Sequence, residues 1–312
     1  MSVLVLQYNA SVIEVQKTIQ SILRQQNIEF EIVVADDGSK ENHFTQLEDY
    51  FKARGFNHYS LVNNPHNGGT VKNILSGLKM CNGKYVKCIS PGDYLYDEMV
   101  LWNVYSKMEK NQAGLLFGRM AFYQENRNQI SILKEQRPFR PEIYETGNNL
   151  KIRKHLLIYQ DNIPGAAAFV KTELFRKMMA LADNRIVYQE DVTFSMPTFM
   201  DETIIYQNNY VVWYEYGQGV STNGADKWVA RLQKDTLAYY HILQEVYPKG
   251  KYVKRALLFQ KLEMKQGFSW KLLKTALFLD RFLFRRNIGQ IKDGYKEPDI
   301  KLLEEIIDES GR

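Results

Sequence analysis

Cysteine is nearly absent from this 312-residue sequence: Cys81 and Cys88 are too few for a disulfide framework. Both fall in elements expected to be buried, so they read as reduced thiols of a cytosolic protein. No run approaches the ~20 uninterrupted apolar residues that a membrane-crossing helix needs. The first residues, Met1-Ser2-Val3-Leu4-Val5-Leu6, carry no basic leader and run straight into a strand pattern, so a secretion signal is not expected. His43, His58, His66, His155 and His241 show no metal-ligand spacing, and no Ser/His/Asp arrangement is discernible. The G-x-x-x-x-G-K phosphate loop is missing as well, and Gly68-Gly69 reads as a tight turn. There is no internal repeat and no low-complexity segment. What remains is the composition of a soluble globular protein, 45% hydrophobic and 25% charged, with length for one large domain or two smaller ones.

The first ~110 residues alternate short apolar runs with segments of helical spacing. Strands are expected at residues 3–6, 32–35, 59–62 and 85–89. Helices are expected at 12–23, around 44–51, at 71–80 and from about 97 to 109. Repeated strand–helix units of this length imply an α/β fold, a mostly parallel sheet with helices on both faces. Beyond residue 114 the pattern loosens. Strands are expected at 115–123, 130–133, 163–170, 203–206 and 210–214, a helix at 172–181, and a polar loop over the site at 137–149. After about residue 219 four helices follow, at 226–247, 251–265, 270–286 and 299–308. The division expected is 1–215 for a catalytic sheet domain and 216–312 for a helical region.

Two acidic clusters sit at the ends of buried-strand patterns. Asp36-Asp37-Gly38-Ser39 follows Glu31-Ile32-Val33-Val34-Ala35, and Pro91-Gly92-Asp93 follows Tyr85-Val86-Lys87-Cys88-Ile89. Carboxyl ends of parallel strands are where an open α/β sheet places its ligand. Aspartates there also serve as turn formers and helix caps. Two such clusters in register with the strands favour a site for a nucleotide whose diphosphate is bound through a metal.

These motifs occur in the order Ser2-Val3-Leu4-Val5-Leu6-Gln7-Tyr8-Asn9, Ser21-Ile22-Leu23-Arg24-Gln25-Gln26, Phe30 to Ser39, Asn67-Gly68-Gly69 with Lys72-Asn73, Gly83-Lys84-Tyr85-Val86, Gly92-Asp93 and Gln189-Glu190-Asp191. Together they resemble the family-two glycosyltransferases over roughly residues 1–215. The resemblance implies a GT-A fold and an inverting hexosyl transfer from a nucleotide-diphosphate sugar such as a UDP-sugar. It places Tyr8 and Asn9 beside the nucleotide, Asp37 on the uracil N–H, and Lys72 where the family often has arginine near the nucleotide. Gly92-Asp93 would sit at the diphosphate, with Asp93 as the ligand to Mn²⁺ or Mg²⁺. Asp191 would be the catalytic base, and Glu190 would orient the site or contact the acceptor. Ser90, Pro91 and Gly92 stand where the family often has further aspartates, so the ribose-contacting carboxylate is missing or replaced by backbone. The stretch from Gly217 to Thr222 resembles the family's loop near the diphosphate, and Trp228 and Arg231 correspond loosely to its Q-x-x-R-W element.

Net charge is +5, yet residues 251–286 hold ten Lys/Arg against Glu263 and Asp280, leaving the rest of the chain at −3. Within 270–286, Lys271, Lys274, Arg281 and Arg285 recur at near-helical spacing, with Trp270, Phe278, Phe282 and Phe284 as candidate anchors. Such a helix suits an anionic membrane face, and equally a contact with the catalytic domain or a second subunit. Nucleic acid is not expected as a partner, because the cations lie among aliphatics rather than exposed aromatics. The expectation is a transferase acting on a hydroxyl of a growing glycan, cytoplasmic or peripheral at the inner membrane face. A sugar-nucleotide pyrophosphorylase would need a basic glycine-rich loop where Tyr8-Asn9-Ala10-Ser11 stands. A non-catalytic glycan- or partner-binding module of the same fold is the other alternative, and retention of Asp93 and Asp191 argues against it.

Overall fold

Strands β1 (Ser2–Gln7), β2 (Glu31–Asp36), β3 (Tyr59–Asn63) and β4 (Tyr85–Ile89) form the parallel half of one sheet in the order β3-β2-β1-β4. The computed structural model describes residues 1–126, 129–217, 226–265, 267–286 and 295–309. Val3, Leu4 and Val5 of β1 and the centre of β2 are fully buried, as strands covered on both faces require. Helix α1 (Val12–Leu23) opens on a capping box in which Ser11 accepts from the Glu14 amide and Glu14 bonds back to Ser11. Helices α2 (Phe44–Ala53), α3 (Thr70–Leu78) and α4 (Val100–Asn111) complete the alternation.

From β4 the sheet becomes mixed. A two-residue strand β5 (Tyr94–Leu95) and the long β6 (Ala113–Asn126) precede β7 (Gln129–Leu133), β8 (Ala168–Lys171) and β9 (Thr203–Glu215). β8 runs antiparallel between β4 and β6, β9 lies parallel to β6, and β5 closes the edge against β9. The two strands expected at 203–206 and 210–214 are this one strand β9. Tyr206 faces Phe117 and Tyr210 faces Arg119, so three residues of β9 bulge opposite Gly118. A Cβ on Gly118 would lie 2.8 Å from the Asn209 carbonyl, which is why the bulge sits there.

Residues 137–149, expected as a polar loop, contain a 3-10 turn at Pro141–Thr146 that buries Tyr144. Helix α5 (Asn149–Lys154) and a π turn at His155–Tyr159 follow, neither marked by periodicity. Helix α6 (Thr172–Ala182) agrees with its pattern. Past the sheet come α7 (Asp226–Val246), α8 (Val253–Glu263), α9 (Phe268–Leu277), α10 (Leu279–Arg286) and α11 (Ile300–Glu309). Tyr239, Tyr240, Ile242 and Leu243 of α7 and Ala256 and Leu257 of α8 share one apolar core with Leu4, Val33 and Phe117 of the sheet. Helix α11 returns to the far edge, where Leu303 and Ile306 pack with Tyr94, Tyr123 and Trp213.

The basic tail corrects the expectation of one helix at 270–286. It breaks at Phe278, whose backbone leaves helical space (ψ 38°) and whose ring is buried against Phe259, centroids 4.9 Å apart. Arg281 and Arg285 point inward to carbonyls of residues 158–160, and Lys274 pairs with Glu263, so these cations do not form an outward stripe. Phe284 stacks on Tyr159, while Phe268, Trp270 and Phe282 stay exposed.

Candidate active site

The carboxyl edge of the parallel strands gathers most of the residues singled out in the sequence. Asp36, fully buried at the end of β2, accepts from the Ser39 amide and hydroxyl and so closes the turn. Asp37 follows, and its two oxygens accept from the amides of Gly68 (2.9 Å) and Gly69 (2.8 Å). Burial nonetheless holds the Asp37 carboxyl above its usual range, with those amides opposing the shift. Gly69 has φ +85°, and a Cβ there would lie 2.7 Å from the Val187 carbonyl, which accepts from the Val71 amide. Tyr8 is 51% exposed, and Asn9, in the left-handed region, bonds Ser39 and Lys40. Lys72 reaches Asp183 at 3.1 Å, an ion pair half open to solvent.

A cleft of about 520 Å³ lies beside this edge and brings together Asp93, Glu190 and Asp191. Tyr8, Asn9, Asp37 and Lys72 do not line it; they sit around the adjoining β1 and β2 ends. Gly92 takes φ +91°, and its carbonyl accepts from the Tyr123 hydroxyl at 2.6 Å. Asp93 accepts from the Glu215 amide, and burial pushes its carboxyl up to about 7. A Cβ on Gly92 would come within 2.8 Å of a Glu215 carboxylate oxygen, so a second carboxylate lies at this turn. Among the described residues no three His, Cys, Asp or Glu side chains converge as a preformed metal cage. Asp93, with Glu215 beside it, fits a divalent ion only where phosphate oxygens and water complete the shell.

Glu190 and Asp191 open a 3-10 helix, Glu190–Phe199, whose N-cap is Gln189, so Asp191 is in the first turn and is not the cap. The nearby backbone amides of Gly165, Asp191 and Val192 favour the ionised form of Asp191. Burial raises both acids, and Asp191's charge raises Glu190 further. Two anions in one cleft are costly, and both carboxyls are held above the ordinary carboxylate range. Gly165 is the fitting piece: a Cβ there would sit 2.4 Å from a Glu190 oxygen.

Two further residues belong to this frame and were passed over in the sequence. Lys87, inside the β4 pattern, is wholly buried, and its ammonium donates to the carbonyls of Cys88 and Ala166. Burial lowers it to about 8, opposed by the nearby charges of Asp93 and Glu190. Asp235 of α7, equally buried, accepts from the amides of Val187, Tyr188 and Gln189, the segment entering the acid pair. Arg231, one turn away, lies 3.6 Å from Asp235 and over the Tyr188 ring, and Trp228 meets Tyr188 edge-on. Of the expected diphosphate loop, Gly217 has φ +100° and residues 218–222 lie outside the described residues.

The family profile of glycosyl transferase family 2 matches residues 2–177, more than half of the chain. The chain belongs to glycosyl transferase family 2. An uncharacterised protein of Methanocaldococcus jannaschii is 32% identical over 108 residues, 33% of this chain and 46% of that protein. Among solved structures, TarS of S. aureus resembles the chain at 15% identity and TM-score 0.52, over 93% of this chain and 49% of TarS. Its 1–349 fragment aligns over 96% of this chain and 98% of the fragment, at 16% identity and TM-score 0.54. The same fragment in complex with UDP-GlcNAc aligns at 18% identity and TM-score 0.52, over 90% of this chain and 78% of that one. The chain thus spans about half the length of the archaeal relative and of full TarS. The likeness to TarS extends the family assignment to a GT-A-like fold with C-terminal helices.

Proposed function

We propose that this family-2 chain is an inverting glycosyltransferase that moves a hexose from a UDP-sugar to a hydroxyl of a growing glycan. The observation that carries the reading is the meeting of Asp93 with the Glu190–Asp191 pair in one cleft at the carboxyl edge of the sheet. UDP-GlcNAc in the TarS fragment, a protein of like fold, supports a nucleotide-sugar donor. Residues 1–215 would supply the donor side and residues 216–312 the acceptor side.

In this reading Tyr8 offers its exposed ring to the uracil, and Asn9 holds the turn beneath it. Two lone-pair sites remain on Asp37 beyond the Gly68 and Gly69 amides, enough for the uracil N–H. Lys72, paired with Asp183, contributes charge at the rim. The Gly92 turn presents Asp93, with Glu215 near, to a diphosphate-bound Mn²⁺ or Mg²⁺. Such an ion, when bound, supplies charge stabilisation to the departing diphosphate. Asp191 takes the proton of the acceptor hydroxyl as its oxygen attacks the anomeric carbon, and the bond to the UDP oxygen breaks on the opposite face. Glu190, protonated, leaves Asp191 as the single anion of the pair. Incubation with a panel of UDP-, GDP- and TDP-sugars plus Mn²⁺ tests the reading through slow donor hydrolysis. UDP-sugars should be consumed; binding and hydrolysis of none of them would sink it.

No helix among the described residues is long and apolar enough to cross a membrane. Exposed Phe268, Trp270, Leu272, Phe282 and Leu283, with Lys271 among them, support peripheral attachment to an anionic membrane surface.

A further inference from the structure

A second cavity, about 320 Å³, adjoins the cleft on the other side of Asp191. The two share Gln160, Asn162, Gln189, Asp191, Leu232 and Arg285, whereas Asp93 and Glu190 line the cleft alone and Arg281 the second cavity alone. The C-terminal helices form one wall, with the neutral side chains of Gln233, Thr236 and Gln260 and, beside the arginines, Glu263, which is paired with Lys274. That lining suits sugar hydroxyls, and the volume lies within the range of small-molecule sites.

Arg281 and Arg285 stand one helical turn apart on α10, where like charges repel. Arg281 donates to the Ile158 carbonyl (2.7 Å) and the Gln160 side-chain oxygen (2.6 Å), and Arg285 to the carbonyls of Tyr159 and Gln160. These acceptors are neutral; Arg281 also lies over the Phe259 ring (4.1 Å), and Arg285 is partly open to solvent. The carboxylates that influence them are engaged elsewhere: Glu263 by Lys274, and Asp161 by His155 and the amides of Phe139 and Arg140. Among the described residues no carboxylate forms an ion pair with either guanidinium. Burial, then the neighbouring Arg285, lowers Arg281 to about 10, with Tyr240 and Glu263 opposing the shift.

We infer that this cavity is the acceptor subsite and that it takes an anionic sugar, its phosphate or carboxylate held by Arg281 and Arg285 and its hydroxyls by the surrounding amides. The inference rests on the cleft being the donor site, since it places the anion across Asp191 from the diphosphate end. Arginine pairs bind such groups by charge-assisted, often bidentate, hydrogen bonds.

The test uses the full chain saturated with UDP and Mg²⁺ and titrated with glucose 6-phosphate, glucuronic acid or glucose, followed by saturation-transfer NMR. The anionic sugars should bind the UDP-loaded protein, with glucose at least about tenfold weaker, and the preference between them names the anionic group. Arg281→Gln should weaken the anionic sugars at least about tenfold more than it weakens UDP, as loss of charged hydrogen bonds predicts. Arg281→Lys should recover part of that loss, and UDP affinity reports that each variant is folded. Equal binding of all three sugars overturns the inference, as does competition of the anionic sugars with UDP for one position. If UDP itself does not bind, the donor reading falls and takes this inference with it.

Discussion

Asp191 and Glu190 are neighbours in sequence with opposite assignments, and substitution separates them. Asp191→Asn keeps shape but cannot take a proton, so kcat should fall about 10²–10⁴-fold with donor binding retained. Glu190→Gln imitates the protonated carboxyl and should keep most of the turnover; if Glu190→Gln is the dead variant, the roles are reversed. Because both acids are raised, kcat should fall as pH drops through a value above the ordinary carboxylate range. Folding responds with the opposite sign. An acid raised in the folded state binds more protons there than in the unfolded chain, so stability declines as pH rises above the unfolded value. Thermal melts should therefore show Glu190→Gln gaining on wild type toward alkaline pH.

Lys87 offers a second contrast at the same scale. Lys87→Met removes the buried cation between Asp93 and Glu190 and leaves the Cys88 and Ala166 carbonyls without their donor. The acid limb of the kcat profile should then move to higher pH; an unmoved limb with only a lower melting temperature would make Lys87 purely structural. Nothing in the sequence marked it, because a lysine inside Tyr85-Val86-Lys87-Cys88-Ile89 reads as an interruption of an apolar pattern. Asp235 was hidden for a related reason: an acid on a long helix ordinarily faces water, and only the tertiary fold reveals its three amide donors.

At the scale of elements, the parallel strands were readable because burial on both faces imposes continuous apolar runs, and the acids at their ends follow turn chemistry. The bulge in β9, the segment from α5 to the π turn, and the break between α9 and α10 were not readable. The bulge and the break are decided by partners elsewhere in the chain, Gly118 for the bulge and Phe259 for the buried ring of Phe278. Glycines that look alike in sequence likewise differ in role. Gly69→Ala meets rigid backbone of Val187 at positive φ, so it should cost about 1–3 kcal/mol of stability in chemical unfolding. Gly165→Ala meets only the mobile end of Glu190. It should melt near wild type yet alter turnover and its pH profile, and an unchanged profile would mean that the turn does not set the acid pair.

For the whole molecule, the charge asymmetry legible in the sequence resolves into two populations. Arg281 and Arg285 turn toward the cavity beside the cleft, while Lys271 remains outside with Phe268, Trp270 and Phe282. If the outer face meets an anionic membrane, the protein should sediment with phosphatidylserine-containing vesicles and be released as salt rises. Trp270→Ser with Phe282→Ser should abolish sedimentation and leave hydrolysis of a soluble donor intact. Wild-type protein that ignores such vesicles at low salt would remove the membrane from the proposal.

The grip of Asp235 on the 187–189 segment also bears on the order in which the molecule is finished. A chain emerging from the ribosome exposes its donor-side strands and the acid pair well before α7 exists, and domains tend to fold from the first part made. Until Asp235 arrives, the three amides leading into Glu190 have no carboxylate to hold them. The approach to the acid pair is thus fixed only once α7 has been made, about three-quarters of the way along the chain.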